Sequence, residues 1–133
     1  MKNKYRVLLV ITVIFLFLSA ACSPTTEETG ILEGHVTIGP LVPVVREGVP
    51  EPTPAPEVFA ARKVVVYRED NGKEVARLDI DADGNYRGVL PVGTYVVDIN
   101  HQGIDFAKGF PIVVEIRSGQ VTRLDVDIDT GIR

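Results

Sequence analysis

Asp79, Asp81 and Asp83 alternate along the chain and precede Gly84, spelling Asp-x-Asp-x-Asp-Gly, the first half of an oxygen-rich calcium loop. An EF-hand completes its oxygen set with a bidentate acid at position 12. Counted from Asp79 that position is Leu90, so the EF-hand reading fails. Two expectations stay open: a looser calcium site on the three carboxylates, or a hairpin with a solvated acidic edge. Asp125, Asp127 and Asp129 repeat the spacing and read as a solvated face. Zinc takes three or four nitrogen or sulfur ligands, and the chain offers only His35, His101 and one cysteine. Nucleophilic catalysis has little to work with: Ser23 and Ser118 fall in a polar stretch and a tight turn, not at a strand-to-helix elbow. No enzyme activity is expected. A sugar platform wants exposed aromatic rings, yet there is no Trp, and Tyr86 and Tyr95 occupy inward positions. Tyr67, Phe106 and Phe110 are left. Phe106 lies among Gly, Asp and Lys in the stretch 101–109, so Phe106 and Phe110 mark a candidate contact loop; the alternative is that Phe106 plugs one end of the fold.

The lone cysteine, Cys22, closes a distinctive leader. Lys2, Lys4 and Arg6 are followed by a nearly unbroken apolar run from Val7 to Leu18, and then by Ser19-Ala20-Ala21-Cys22. A charged start, a short apolar core and small residues at the cut form a secretory signal peptide. About 12 apolar residues fall short of the ~20 that a spanning helix needs, although extension through Ala21 leaves a retained anchor helix as an alternative. The last four residues resemble the lipobox of bacterial lipoproteins, with Ser19 where Leu is commonest and Leu18 one residue early. That resemblance implies a thiol alkylated by a diacylglyceryl group and cleavage just before Cys22; ordinary cleavage with a free thiol is the alternative. It also implies, in an envelope of two membranes, an outer-membrane address, because Ser23 is not the Asp that commonly retains such products at the inner one. The expected location is therefore outside the cytoplasm, lipid-anchored to the cell membrane or the outer membrane.

Loss of residues 1–21 removes three of 14 basic and none of 18 acidic residues, taking the formal net charge from −4 to −7. Nucleic acid and anionic lipid both call for cationic patches, so neither fits this balance. The expected partners are the membrane, through lipid on Cys22, and an unidentified protein.

The elements that must position these residues follow from the rest of the 133-residue chain, which has room for one domain. Residues 22–30 read as the lipidated cysteine and a flexible polar tether. From residue 31 to 133 short β-branched runs alternate with turn signals, and no helical period lasts beyond a turn. Seven strands are predicted: 31–38, 62–68, 74–80, 85–90, 94–100, 111–117 and 121–128. The inward faces are Leu32, Val36 and Ile38; Ala76, Leu78 and Ile80; Tyr86, Gly88 and Leu90; Tyr95, Val97 and Ile99; and Leu124, Val126 and Ile128. Period-two alternation with one polar face specifies a two-sheet sandwich. Asp70-Asn71-Gly72, Asp83-Gly84-Asn85, Pro91-Val92-Gly93 and Ser118-Gly119-Gln120 supply the turns. The connection 39–58 holds six of the nine prolines; its Pro-Glu-Pro-Thr-Pro-Ala-Pro run favours extended polyproline geometry.

The segment IDADGNYRGVLPVGTYVVDI resembles the signature of prealbumin-like domains, the carboxypeptidase regulatory-like and Cna protein B-type sandwiches. Asp81, Gly84, Tyr86, Leu90, Pro91, Gly93 and Tyr95 carry the match, which extends over about residues 31–129. The resemblance implies an all-β, seven-stranded Ig-like sandwich serving as an accessory, stalk or binding module. A cysteine pair that brackets the first loop in some such lipoproteins has Val42 and Glu51 as its equivalents here. Isopeptide cross-links of some relatives would place Lys63 and Asn100 as candidates. Tyr86-Arg87-Gly88 echoes the C-terminal Tyr-Arg-Gly-Ser of transthyretin-like hydrolases, but it lies mid-chain and reads as coincidence. The expected function is a non-catalytic, membrane-anchored interaction or structural module, with a calcium- or carbohydrate-binding module as the alternative.

Overall fold

The computed structural model describes residues 26–44 and 46–132. The signal segment 1–21 and Cys22 lie outside them. Two sheets pack face to face. One has the order β4-β1-β9-β6, with β8 also paired to β1, and the other the order β3-β2-β5-β7. The strands are β1 (Thr29–Gly39), β2 (Lys63–Arg68), β3 (Glu74–Asp79), β4 (Asn85–Pro91), β5 (Gly93–Ile99), β6 (Phe106–Ala107), β7 (Ile112–Ile116), β8 (Val121–Arg123) and β9 (Val126–Asp129). A single helical turn among the described residues, α1 (Pro56–Ala60), begins on a proline whose missing N–H is no loss at that position.

The predicted alternation is realised. Leu32, Val36 and Ile38 of β1, Tyr86 and Leu90 of β4, and Val126 and Ile128 of β9 face Val64, Val66, Tyr95, Val97, Ile99 and Ile116 across the core. β1 is the hub: it runs antiparallel to β4 on one side and parallel to β8 and then β9 on the other. It begins at Thr29, so the last two residues assigned to the tether belong to the sheet.

Three differences from the expected seven strands have local causes. Phe106–Ala107 adds a short strand on β9. The proline connection ends in α1, which buries Phe59 in the core. The last strand, expected unbroken over 121–128, divides at Leu124-Asp125 into β8 and β9. There the Leu124 carbonyl accepts a hydrogen bond from the buried Tyr86 hydroxyl. It lies so close to Gly34 that a Cβ there would sit 1.9 Å from the oxygen. The Asp125 carboxylate takes over the ladder by accepting the His35 N–H at 2.8 Å.

This arrangement predicts that Gly34→Ala is severely destabilising, since the backbone of both strands must move. Tyr86→Phe should cost about 1–3 kcal/mol by leaving a buried carbonyl without its donor. Urea unfolding of the two variants checks both; an unperturbed midpoint for Gly34→Ala would contradict the close approach.

Candidate functional site

The sequence-predicted acidic turn is built as follows. Asp81 Oδ1 accepts the N–H groups of Asp83 at 2.9 Å and Asn85 at 2.8 Å, closing the turn through its side chain. Gly84, at φ +84°, carries the turn back beneath β1, where its carbonyl accepts the Val36 N–H at 2.7 Å. Asp79 is directed elsewhere, to the Lys63 ammonium at 2.5 Å. The three carboxylates are thus not brought together, and among the described residues no group of three such side chains is placed to hold a metal ion.

The rest of the signature also serves the fold. Tyr86 holds the Leu124 carbonyl, and Tyr95 reaches back to donate to the Pro91 carbonyl at 2.8 Å. Burial and the nearby Asp125 carboxylate push the Tyr86 hydroxyl well above the usual tyrosine range, so it stays a donor. Lys63 and Asn100 meet, but through the wrong atoms for an isopeptide: Asn100 Oδ1 accepts the Lys63 backbone N–H, and its amide donates to the Ala61 carbonyl at 3.3 Å. His35 and His101 have separate partners, Asn85 at 3.1 Å and the Asp105 carbonyl at 3.2 Å.

The two long connections named from sequence do converge. Arg62, just after α1, donates through Nε to Asp105 Oδ2 at 2.7 Å and through Nη1 to the Val58 carbonyl at 2.8 Å. The ion-paired side chains are only 12% and 5% exposed. Arg62 was expected to open the second strand; instead it ties the proline connection to the loop 101–105. Phe106 does not plug the sandwich: it is 47% exposed on the edge strand β6, while Phe110 packs partly buried against the core. Beside α1 a groove of about 440 Å³ lies between the segment 51–54, β1 and the acidic turn, with His35, Thr37, Phe59 and Asp83 among its walls. Glu51 secures this segment by accepting the Leu41 N–H at 3.3 Å. Leu41, Phe59, Arg62 and Asp105 organise these connections, and the only sequence signal for the last two was a charged residue at each loop end.

No family model and no curated protein matches the chain. Among solved structures it is similar to the minor pilin GBS52 of Streptococcus agalactiae, with a TM-score of 0.50 and 18% identity over 77% of this chain and 45% of that one. DUF3823 family proteins of Parabacteroides merdae and Bacteroides ovatus are similar at TM-scores of 0.48 and 0.46 and identities of 14% and 15%. They cover 77% and 74% of this chain and 46% and 44% of their own. The chain therefore spans under half the length of the solved chains it matches. At 18% identity the likeness to the pilin is one of fold, and it agrees with the two packed sheets: the molecule is a β-sandwich.

Removing one member of the buried pair, by Arg62→Ala or Asp105→Ala, should cost about 3–5 kcal/mol, because the other charge is left buried and alone. The double variant Arg62→Met/Asp105→Leu should recover much of that loss in thermal or denaturant unfolding.

The Asp105 carbonyl, first, and then the Asp98 carboxylate hold the His101 imidazole above its ordinary pKa of 6.5. A raised folded-state value favours the protonated form. His101 thus contributes stability that is full below about pH 6.5 and lost as pH rises through its folded-state pKa. An NMR titration should place its midpoint above 6.5, and His101→Asn should flatten this part of the stability profile; a midpoint at or below 6.5 would contradict the assignment.

Proposed function

We propose that this chain is an exported lipoprotein whose acylated Cys22 holds one β-sandwich on a membrane surface, where it acts as a non-catalytic interaction or structural module. The observation that carries the reading is the short apolar leader ending on the lone cysteine, six residues before the first described strand pair begins to form at Glu28 and Thr29. Two features of the domain support it. The residues of its recurrent motif are spent on turns and core, which leaves them no catalytic task. Its long connections, 40–55 and 100–105, gather at the end of β1 opposite the tether, where a protein partner would reach them. The pilin role of GBS52 fits a surface module of this kind. No helix among the described residues is long and apolar enough to cross a membrane, so attachment in this reading falls to the segment before them. A calcium role would require Asp79 to leave Lys63 and Asp81 to give up its turn, and it is the weaker reading.

Mass spectrometry of the chain recovered from the membrane fraction should find an N-terminal Cys22 carrying a diacylglyceryl mass. Cys22→Ser should release an unacylated chain or leave the leader uncut. A wild-type chain with a free Cys22 thiol would refute the anchor.

A further inference from the structure

The outer face of the five-stranded sheet changes character along β1. At the end where the chain enters, Val89, Ile31 and Val121 stand abreast on β4, β1 and β8, with Ile31 in register with both valines. Val89 is 66% exposed and Val121 53%. Val92 extends the apolar row on the adjacent turn, where its N–H donates to the Glu28 carbonyl at 2.9 Å. The next row inward is Arg87, Glu33 and Arg123. Arg87 pairs with Glu33 and Arg123 with Asp125, so that row is largely neutral in sum. Asp83 and Asp127 lie at the far end of β1, beside the groove and the proline connection.

The tether decides what this apolar row meets. Residues 23–28 separate Cys22 from β1, and six residues reach roughly 20 Å at full extension. An anchored Cys22 therefore keeps the entering end of the sandwich within that distance of the bilayer. A contact made under such a tether is effectively intramolecular, so a few aliphatic side chains suffice to bias orientation where they would never bind a membrane alone. The row has no aromatic anchor of the kind that selects a protein partner. We infer that Val89, Ile31 and Val121 rest on the interfacial layer of the bilayer that anchors Cys22, turning the acidic end and the long connections toward the aqueous side. This rests on the lipoprotein reading above. Because the contact is apolar, and the exposed Glu27 and Glu28 beside it disfavour an anionic surface, it forms on zwitterionic lipid.

The test uses the mature acylated chain reconstituted in phosphatidylcholine vesicles. An environment-sensitive thiol dye is placed by V121C or, as control, by V113C; Val113 is 55% exposed on the outer face of the other sheet. Reconstitution should blue-shift the emission at 121 and protect it from aqueous iodide, with no change at 113, and Val89→Glu in the V121C chain should restore quenching. Equal quenching at both positions, or protection at 113 instead, overturns the proposal while leaving the anchor intact. Protection at 121 in native envelopes but not in pure lipid assigns the row to a protein and also overturns it. The chain without an introduced cysteine reports the anchor separately: a blocked Cys22 takes up no dye, and a reactive one refutes the lipoprotein reading and this proposal together.

Discussion

Where the last strand breaks, the Leu124 carbonyl turns off the edge of the sheet and inward, over Gly34 and onto the hydroxyl of Tyr86. A carbonyl drawn into a core must be met by a donor, or its desolvation works against the whole domain. Three residues far apart in sequence therefore depend on one another. Gly34 leaves the space, Tyr86 supplies the O–H, and Asp125 accepts the His35 N–H that the displaced backbone no longer serves. Through this junction β1 exchanges one parallel neighbour for another without losing its inward stripe of Leu32, Val36 and Ile38. The turn before Tyr86 is bound to the same requirement. Asp81 and Gly84 fix where β4 starts and hence where the phenol lands.

A second constraint acts at the far end. The connections 40–55 and 100–105 are long, and ordering them is entropically costly. Phe59 gives the first an apolar foothold in the core, and Arg62 fastens it to the second through Asp105. A buried ion pair adds little net stability compared with a well-packed apolar pair, but it rewards one geometry sharply, since either charge without the other is costly. Its effect here is to fix two connections that the sheets alone would leave loosely placed. His101 adds a protonation-dependent contact on the same loop.

The sheet faces were legible in the sequence because a period of two in β-branched residues admits one burial pattern: Tyr95, Val97 and Ile99 could not be moved outward without exposing all three. The turn at Asp81–Gly84 was legible for a similar reason, its side-chain chemistry being local. The break at Leu124 was not. Leu124, Val126 and Ile128 alternate cleanly, and what interrupts them is a hydroxyl 38 residues away together with a missing side chain at Gly34. The role of Arg62 was hidden likewise: next to Lys63 it looks like ordinary surface charge, and its partner is 43 residues downstream. Asp79, Asp81 and Asp83 show the converse error of spacing without direction. Alternate residues share a side of an ideal strand, but β3 ends at Asp79, whose carboxylate pairs with Lys63, while the Asp81 carboxylate closes the turn by accepting the Asp83 N–H.

These constraints bear on where function can reside. Asp81, Gly84, Tyr86, Pro91 and Tyr95 are each bound to a turn, a carbonyl or the core. The remaining exposed features lie at the two ends of β1, about 35 Å apart at the rise of an extended strand. One end carries the aliphatic row; the other carries the proline segment, the groove and the exposed ring of Phe106. The hub strand β1 thus joins an aliphatic row at one end to long connections at the other. The junction at Leu124 is what keeps that sheet in one piece, because without it β8 and β9 would not both lie against β1.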